Sequence, residues 1–337
     1  MTEQTPPPST DQRAYKVLAV DLDGTLLNSK HEISEANQKA LQSAREAGIQ
    51  IIIATGKTYA SSQSLREQLA LNTPGIYTQG LTIYDGSGKL RHQQTLDAVV
   101  ARRVITFAEE RGVAVVAYAQ GRILARGSNP YIEELHTRWH DTKPQYVGTL
   151  QNLLETTQFN KLVLVSAGDE RKIKALRWLL ATQLASSARL LSAGVPHMLE
   201  ILPNGASKGN ALRALLKEMN VDPQDVIAVG DAENDIEMLQ LAGLGIAVGN
   251  AAASLKAVAN ETTVSNDEDA VTQIIYKYLV KPAPAPEPAT PPATETPTPV
   301  ASETVTPPAE SPAPEDAAPS TPAAESKPLE PETGGDA

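Results

Sequence analysis

Two aspartates one residue apart, Asp21 and Asp23 in the run Asp21-Leu22-Asp23-Gly24-Thr25, carry the clearest offer of chemistry in this 337-residue chain. They follow a short apolar stretch, Tyr15–Val20, that stops at acidic residues as a strand buried on both faces does. Residues two apart on extended backbone project to the same side, so both carboxylates can face one small space. Unpaired, they repel and one tends to take up a proton. A divalent cation relieves that, and Mg²⁺ suits oxygen ligands with a substrate phosphate completing its shell. Gly24 lets the chain turn sharply afterwards. Taken alone, Asp23-Gly24 reads equally well as an ordinary turn.

Three further clusters share this setting. Thr55-Gly56-Lys57 ends a second apolar run, where a hydroxyl and backbone N–H groups can hold a phosphate oxygen. Ser207-Lys208-Gly209 puts a cation at a helix start, which the helix dipole disfavours unless an anion is near. Gly230-Asp231-Ala232-Glu233-Asn234-Asp235 brings more carboxylates to a strand end, an arrangement uncommon without a cation. Each has a bland reading as a turn or a solvated side chain. Together they supply metal carboxylates, a nucleophile, a hydroxyl and a lysine, the parts phosphoryl transfer needs, because its catalysis is largely positioning and charge neutralisation.

The elements that must position these groups alternate. Ile49–Ala54 and Val226–Val229 read as buried strands; Ser34–Ala47, with Ala40, Leu41 and Ala44 at helical spacing, Gly209–Met219 and Ile236–Ala242 read as helices. That order predicts a parallel α/β sheet with its polar clusters past the C-terminal strand ends, where such sheets place active sites. Residues 84–198 have another rhythm. Helices near Asp97–Arg111 and Glu170–Ala185 interleave with strands at Val113–Tyr118, Leu162–Ser166 and Arg189–Leu191, predicting an inserted α+β domain. The core then comprises 14–83 and 199–280.

Composition bounds the partners. There is no cysteine, which excludes disulfides, thiolate metal sites and a cysteine nucleophile. Of the net charge of −11, −8 falls between Lys281 and Ala337, a stretch with ten acidic and two basic residues and sixteen of the 25 prolines. It cannot bury enough apolar surface to order itself, so 281–337 and the similar segment 1–13 read as disordered, with any tail partner unknown. The remainder is nearly balanced and offers nucleic acid no basic stripe. No apolar run approaches the roughly 20 residues of a membrane helix and no secretory signal opens the chain, so the expectation is a cytoplasmic protein without membrane contact.

In sequence order, DLDGTLL, ATGK, SKG and GDAENDIEML resemble the four motifs of the haloacid dehalogenase (HAD) superfamily, specifically Cof-type phosphatases with a C2 cap, over roughly residues 15–280. The resemblance implies a Rossmann-like HAD core with a parallel sheet and an inserted C2 cap domain, and a Mg²⁺-dependent phosphomonoesterase. By motif position Asp21 is similar to the nucleophile that forms an aspartyl-phosphate and Asp23 to the acid/base. Thr55, Gly56, Asn234 and the Leu22 backbone N–H would bind the phosphoryl group, and Lys208 would neutralise charge. Mg²⁺ would be held by Asp21, the Asp23 carbonyl and Asp231, with Asp235 in support. Only 34 residues separate Asp21 from Thr55, against about 150 from Gly56 to Lys208, which makes the middle domain the lid. Two departures from the family pattern stand out: Lys57 in place of the common Arg, and Gln79-Gly80 in place of Asn-Gly. Neither is expected to touch nucleophile or metal.

The resemblance implies a small phosphate ester, with sugar phosphates favoured because aromatics are few, although Tyr118, Tyr131, Trp139 and Tyr146 of the cap could stack a flat ring. FMN, pyridoxal phosphate or nucleotide-type phosphatases, a sucrose-phosphate-phosphatase-like enzyme, a phosphomutase, and a scaffold acting through its acidic tail are the alternatives. His136 and His140, four residues apart, could share a helix face as a metal pair, but no third ligand is evident, and they read as surface or cap-lining histidines.

Overall fold

The computed structural model describes residues 14–280 except 193, 194 and 196, so the two segments read as disordered lie outside the described residues. The chain opens with β1 (Val17–Val20), α1 (Glu35–Glu46), β2 (Gln50–Ile53) and α2 (Tyr59–Gln68), then three short strands, β3 (Gly75–Tyr77), β4 (Thr82–Tyr84) and β5 (Leu90–Gln93). Next come α3 (Ala98–Glu109), β6 (Ala114–Ala119), β7 (Arg122–Ala125), α4 (Pro130–Thr137) and β8 (Gln145–Tyr146). These lead to β9 (Lys161–Val165), α5 (Glu170–Leu184), β10 (Ala188–Leu191) and β11 (Met198–Pro203). The chain returns through α6 (Lys208–Glu218), β12 (Val226–Gly230), α7 (Ile236–Leu241), β13 (Leu244–Ala247), α8 (Ala253–Lys256), β14 (Glu261–Thr262) and α9 (Ala270–Ile274).

The core is a parallel sheet of order β14-β13-β12-β1-β2. β1 sits inside it, with Val17 opposite both Val226 and Gln50. Every residue of β1 and β12 is buried, because helices cover both faces and no alternation is needed. α1 begins where the Ser34 hydroxyl accepts the Asn37 N–H, and lays Ala40, Leu41 and Ala44 on the sheet. β1, β2 and β12 all end at one edge, and that edge carries the site.

The cap is a six-stranded sheet of order β10-β11-β9-β6-β7-β8, antiparallel except between β7 and β8. Its strands alternate. Val115, Ala117, Leu162, Leu164, Leu199 and Ile201 pack beneath α3 and α5. The opposite face, bearing Tyr118, Lys161, Val163, Met198 and Glu200, meets α4 and the cavity above the core.

Two boundaries differ from those read in the sequence. β4 pairs with β3 and β5 with β4, and β3 prolongs the core through the Ala54–Ile76 bridge, so the six-stranded layer starts after Gln93 rather than at 84. β11 pairs with β9 and β10, carrying the cap to Pro203 rather than 198. Its charged centre and terminal proline hid it from a search for apolar runs. Leu81, Leu191, Leu202 and Ala206 form a small apolar cluster where the cap joins the core.

Candidate functional site

At the ends of β1, β12 and α6, four charged side chains meet in a space nearly closed to solvent. Lys208 donates to Asp21 Oδ1 at 2.6 Å and to Asp235 Oδ1 at 2.8 Å, and its side chain is fully buried. The second oxygen of Asp235 accepts the N–H groups of Asp231 and Ala232, both at 3.1 Å, which fixes the loop that presents Asp231. Asp21, Asp231 and Asp235 each bring an oxygen within 4.8 Å of the others, and no other such group occurs among the described residues. Gly24, at φ +77, lies so close that a Cβ there would stand 2.5 Å from Asp231 Oδ2.

This crowding sets the electrostatics. Burial, with Asp235 and Asp231 adding to it, pushes the Asp21 carboxyl well above the usual range against the pull of Lys208. Burial and then Asp235 push Asp231 up to about 6. The trio therefore suits a divalent cation, since added positive charge removes the repulsion that holds these protons on. A consequence can be measured without substrate. Between the unfolded value of 3.8 and about 6 the folded protein binds more protons at Asp231 than the unfolded chain, so this group makes stability fall as pH rises through that window. In EDTA, urea unfolding is expected to show a loss on the order of 2 kcal/mol from pH 4.5 to 6.5, shallower in Asp231→Asn and reversed by a divalent cation. A flat profile would remove the case for a charge-strained trio.

Asp23 lies apart from the trio. Its Oδ1 accepts from Lys57 Nζ at 2.7 Å and lies 3.0 Å from His31 Nδ1, and its side chain is 27% exposed towards the cavity. Lys57, expected to touch neither nucleophile nor metal, makes its ion pair with the Asp23 side chain. His31 was not singled out in the sequence. It arrives because Asn28 and Glu32 exchange bonds that turn the loop back on itself.

Thr55, 1% exposed, accepts the Lys57 N–H on Oγ1 at 3.2 Å, and Gly56 leaves room for the Gln79 amide, whose nitrogen would stand 2.6 Å from a Cβ there. Leu22 buries its side chain in the core, leaving only its backbone for the site. Asn234 Nδ2 donates to Gln79 Oε1 at 3.0 Å, and its own Oδ1 is buried without a partner. Thr78 and Gln79 both adopt left-handed backbone, at φ 52 and 62, a strained local path that delivers Gln79 to this position.

Above these groups lies a cavity of about 450 Å³ shared by core and cap. The cap contributes Tyr118 and Trp139 of the four aromatics proposed for stacking; Tyr131 and Tyr146 are not among its lining residues. Asp141 ties cap to core, accepting from the Thr58 N–H and hydroxyl at 3.2 and 2.9 Å and from Tyr118 at 3.2 Å. His136 lies in the last turn of α4 but His140 lies past its end, so the two share no helix face; both are exposed and belong to no metal-competent cluster among the described residues.

A parallel sheet with acids and a buried lysine at its strand ends, roofed by an inserted cap, defines a known class, and the chain belongs to it: residues 18–275 match the haloacid dehalogenase-like hydrolases. It is a phosphatase of that family. Phosphatase YwpJ of Bacillus subtilis is 31% identical over 78% of this chain and 100% of its own length. Pyridoxal phosphate phosphatase YbhA of Escherichia coli is 30% identical over 79% and 99%. The chloroplastic endoribonuclease YBEY of Arabidopsis thaliana is 36% identical over 78% of this chain, which spans only 46% of that protein. A haloacid dehalogenase-like hydrolase structure from Bacteroides thetaiotaomicron superposes with a TM-score of 0.71 at 28% identity, covering 78% of this chain and 99% of its own. Among the described residues no helix is long and apolar enough to cross a membrane.

Proposed function

We propose that the protein is a Mg²⁺-dependent phosphomonoesterase for a small phosphorylated metabolite, working through an aspartyl-phosphate on Asp21. The observation that carries this is the split between two carboxylates two residues apart: Asp21 buried on Lys208, Asp23 turned to the cavity on Lys57 and His31. Positive charge bound beside Asp21 would leave it ionised and able to attack, while Asp23, open to the cavity, is placed to pass a proton to and from the leaving group. An Asp21 oxygen attacks phosphorus as the ester P–O bond breaks, and Asp23 gives its proton to the leaving oxygen. Asp23 then takes a proton from water, which attacks phosphorus and frees Asp21 and inorganic phosphate. Lys208 offsets charge on Asp21 and the phosphoryl oxygens, while Thr55, Gly56, Asn234 and the Leu22 N–H hold those oxygens. Asp21, Asp231 and the Asp23 carbonyl would hold Mg²⁺, which when bound neutralises phosphoryl charge; Asp235, its oxygens already engaged, orients Asp231 and Lys208.

For the leaving group, the sequence favours sugar phosphates, whereas YbhA is named for pyridoxal phosphate. Both are small enough for the cavity. Phosphate release from a panel of sugar, pyridoxal, flavin and nucleotide esters is expected to require Mg²⁺ and to stop in EDTA. Release from no ester, or release indifferent to EDTA, would overturn the proposal.

A further inference from the structure

Within the cap, three strands place one polar group each on the face turned to the core. Tyr118 and Lys161 are register partners on β6 and β9, and Glu200 lies on the neighbouring β11 opposite Val163. Lys161 is 1% exposed; its Nζ donates to Glu200 Oε1 at 3.0 Å and sits 4.3 Å from the centre of the Tyr118 ring. Buried ion pairs are weak sources of stability, so their retention beside a cavity asks for another reason. Glu200 supplies one. Its Oε1 also faces Gln79 Nε2 at 3.4 Å, linking the pair to the phosphate loop, while its Oε2 is buried with no hydrogen-bond partner.

A buried carboxylate oxygen without a donor is costly, and a phosphoryl group, an acceptor at every oxygen, cannot serve it. A donor on the rest of the substrate would satisfy it. On the cap side the cavity lining adds the apolar Leu135, Val163, Val195 and Met198 with Trp139, and the charged Arg138 and Asp141. We propose that Glu200 and Lys161 read the leaving group, selecting a ring with an apolar face and an edge that sets an O–H or N–H donor beside an acceptor. A sugar and a heterocycle both satisfy that description. The proposal deepens the phosphatase reading and rests on it for the position of the phosphoryl group.

Binding, which needs no turnover, separates the two. In the full-length Asp21→Asn protein with Mg²⁺, calorimetry would compare glucose 6-phosphate and pyridoxal 5′-phosphate with phenyl phosphate, which carries no donor on its ring. At least one donor-bearing ester is expected to bind more tightly than phenyl phosphate. Glu200→Gln, which puts an amide in place of the carboxylate at nearly constant shape, is expected to cut that preference about tenfold, one charged hydrogen bond's worth. Lys161→Gln, a second variant, is expected to shift the same ratio. The ester that loses its advantage identifies the ring. A ratio unchanged in both variants, or no preference in the Asp21→Asn protein itself, would overturn the assignment whether or not the enzyme hydrolyses esters.

Discussion

Asp21→Asn is expected to lower phosphate release by about four orders of magnitude or more while leaving the fold as stable as before, or more stable. The two effects have opposite signs for one reason. Asp21 stands among Asp231, Asp235 and Lys208 in a site that burial keeps from water, and its carboxyl is held well above the usual range. An amide keeps the shape and an oxygen to accept from Lys208, but removes the charge that crowds Asp231 and the atom that attacks phosphorus. Function here is held at a cost in stability. The variant should also yield no acid-stable, base-labile phosphate on the protein after quenching with labelled ester, whereas the wild type should. Turnover within tenfold of wild type would show that another group is the nucleophile.

How much of this was legible beforehand depended on whether residues were joined by chain or by sheet register. Asp21 and Asp23, Thr55 and Gly56, Lys208, and Asp231 to Asp235 each sit within a short run that ends a strand or starts a helix, so type and spacing announce them. β1, β2 and β12 were readable because a strand buried on both faces is a continuous apolar run. Lys161 and Glu200 were not, because 39 residues part them and only the alternation of β9 and β11 brings them to one face. The same holds for Asp141, which reaches Thr58 across 83 residues. α4, only eight residues long, showed in the sequence no more than the four-residue spacing of His136 and His140, the second of which lies past its end. His31 stands eight residues from Asp23, and the turn that folds it back depends on the Lys30 and Glu32 N–H groups donating to Asn28 Oδ1, which no hydrophobic period records. Gln79 was noticed as a departure, but its place between Asn234 and Glu200 follows from left-handed backbone at two successive non-glycine residues, which sequence pattern does not foresee.

Lys208→Met is expected to cost about 3 to 5 kcal/mol in urea unfolding at pH 7.5 without metal, and about a thousandfold in turnover with Mg²⁺. Methionine fills much of the same volume, so the loss is one of charge. Lys208 is the cation that faces both Asp21 and Asp235, and its own proton is held more tightly than usual by those two partners despite the opposing effect of burial. Without it, buried carboxylates face one another uncompensated, and the proton affinities of Asp21 and Asp231 in the folded state rise further above those of the unfolded chain. Such groups destabilise as pH rises and cease to do so once protonated, so the deficit should shrink on moving to pH 5. It should shrink also on adding Mg²⁺ at pH 7.5, because a cation among the same oxygens does part of what the ammonium did. Arginine is no substitute: the start of α6 is pressed against Gly80, where a Cβ would stand 2.2 Å from the Ser207 carbonyl oxygen, so the backbone cannot retreat to seat a longer side chain. A Lys208→Met protein as stable as wild type at pH 7.5, or one whose deficit ignores both acid and Mg²⁺, would mean that the carboxylates are not held in opposition by this lysine. The account of the site as a charge balance completed by metal and phosphate would then fail with it.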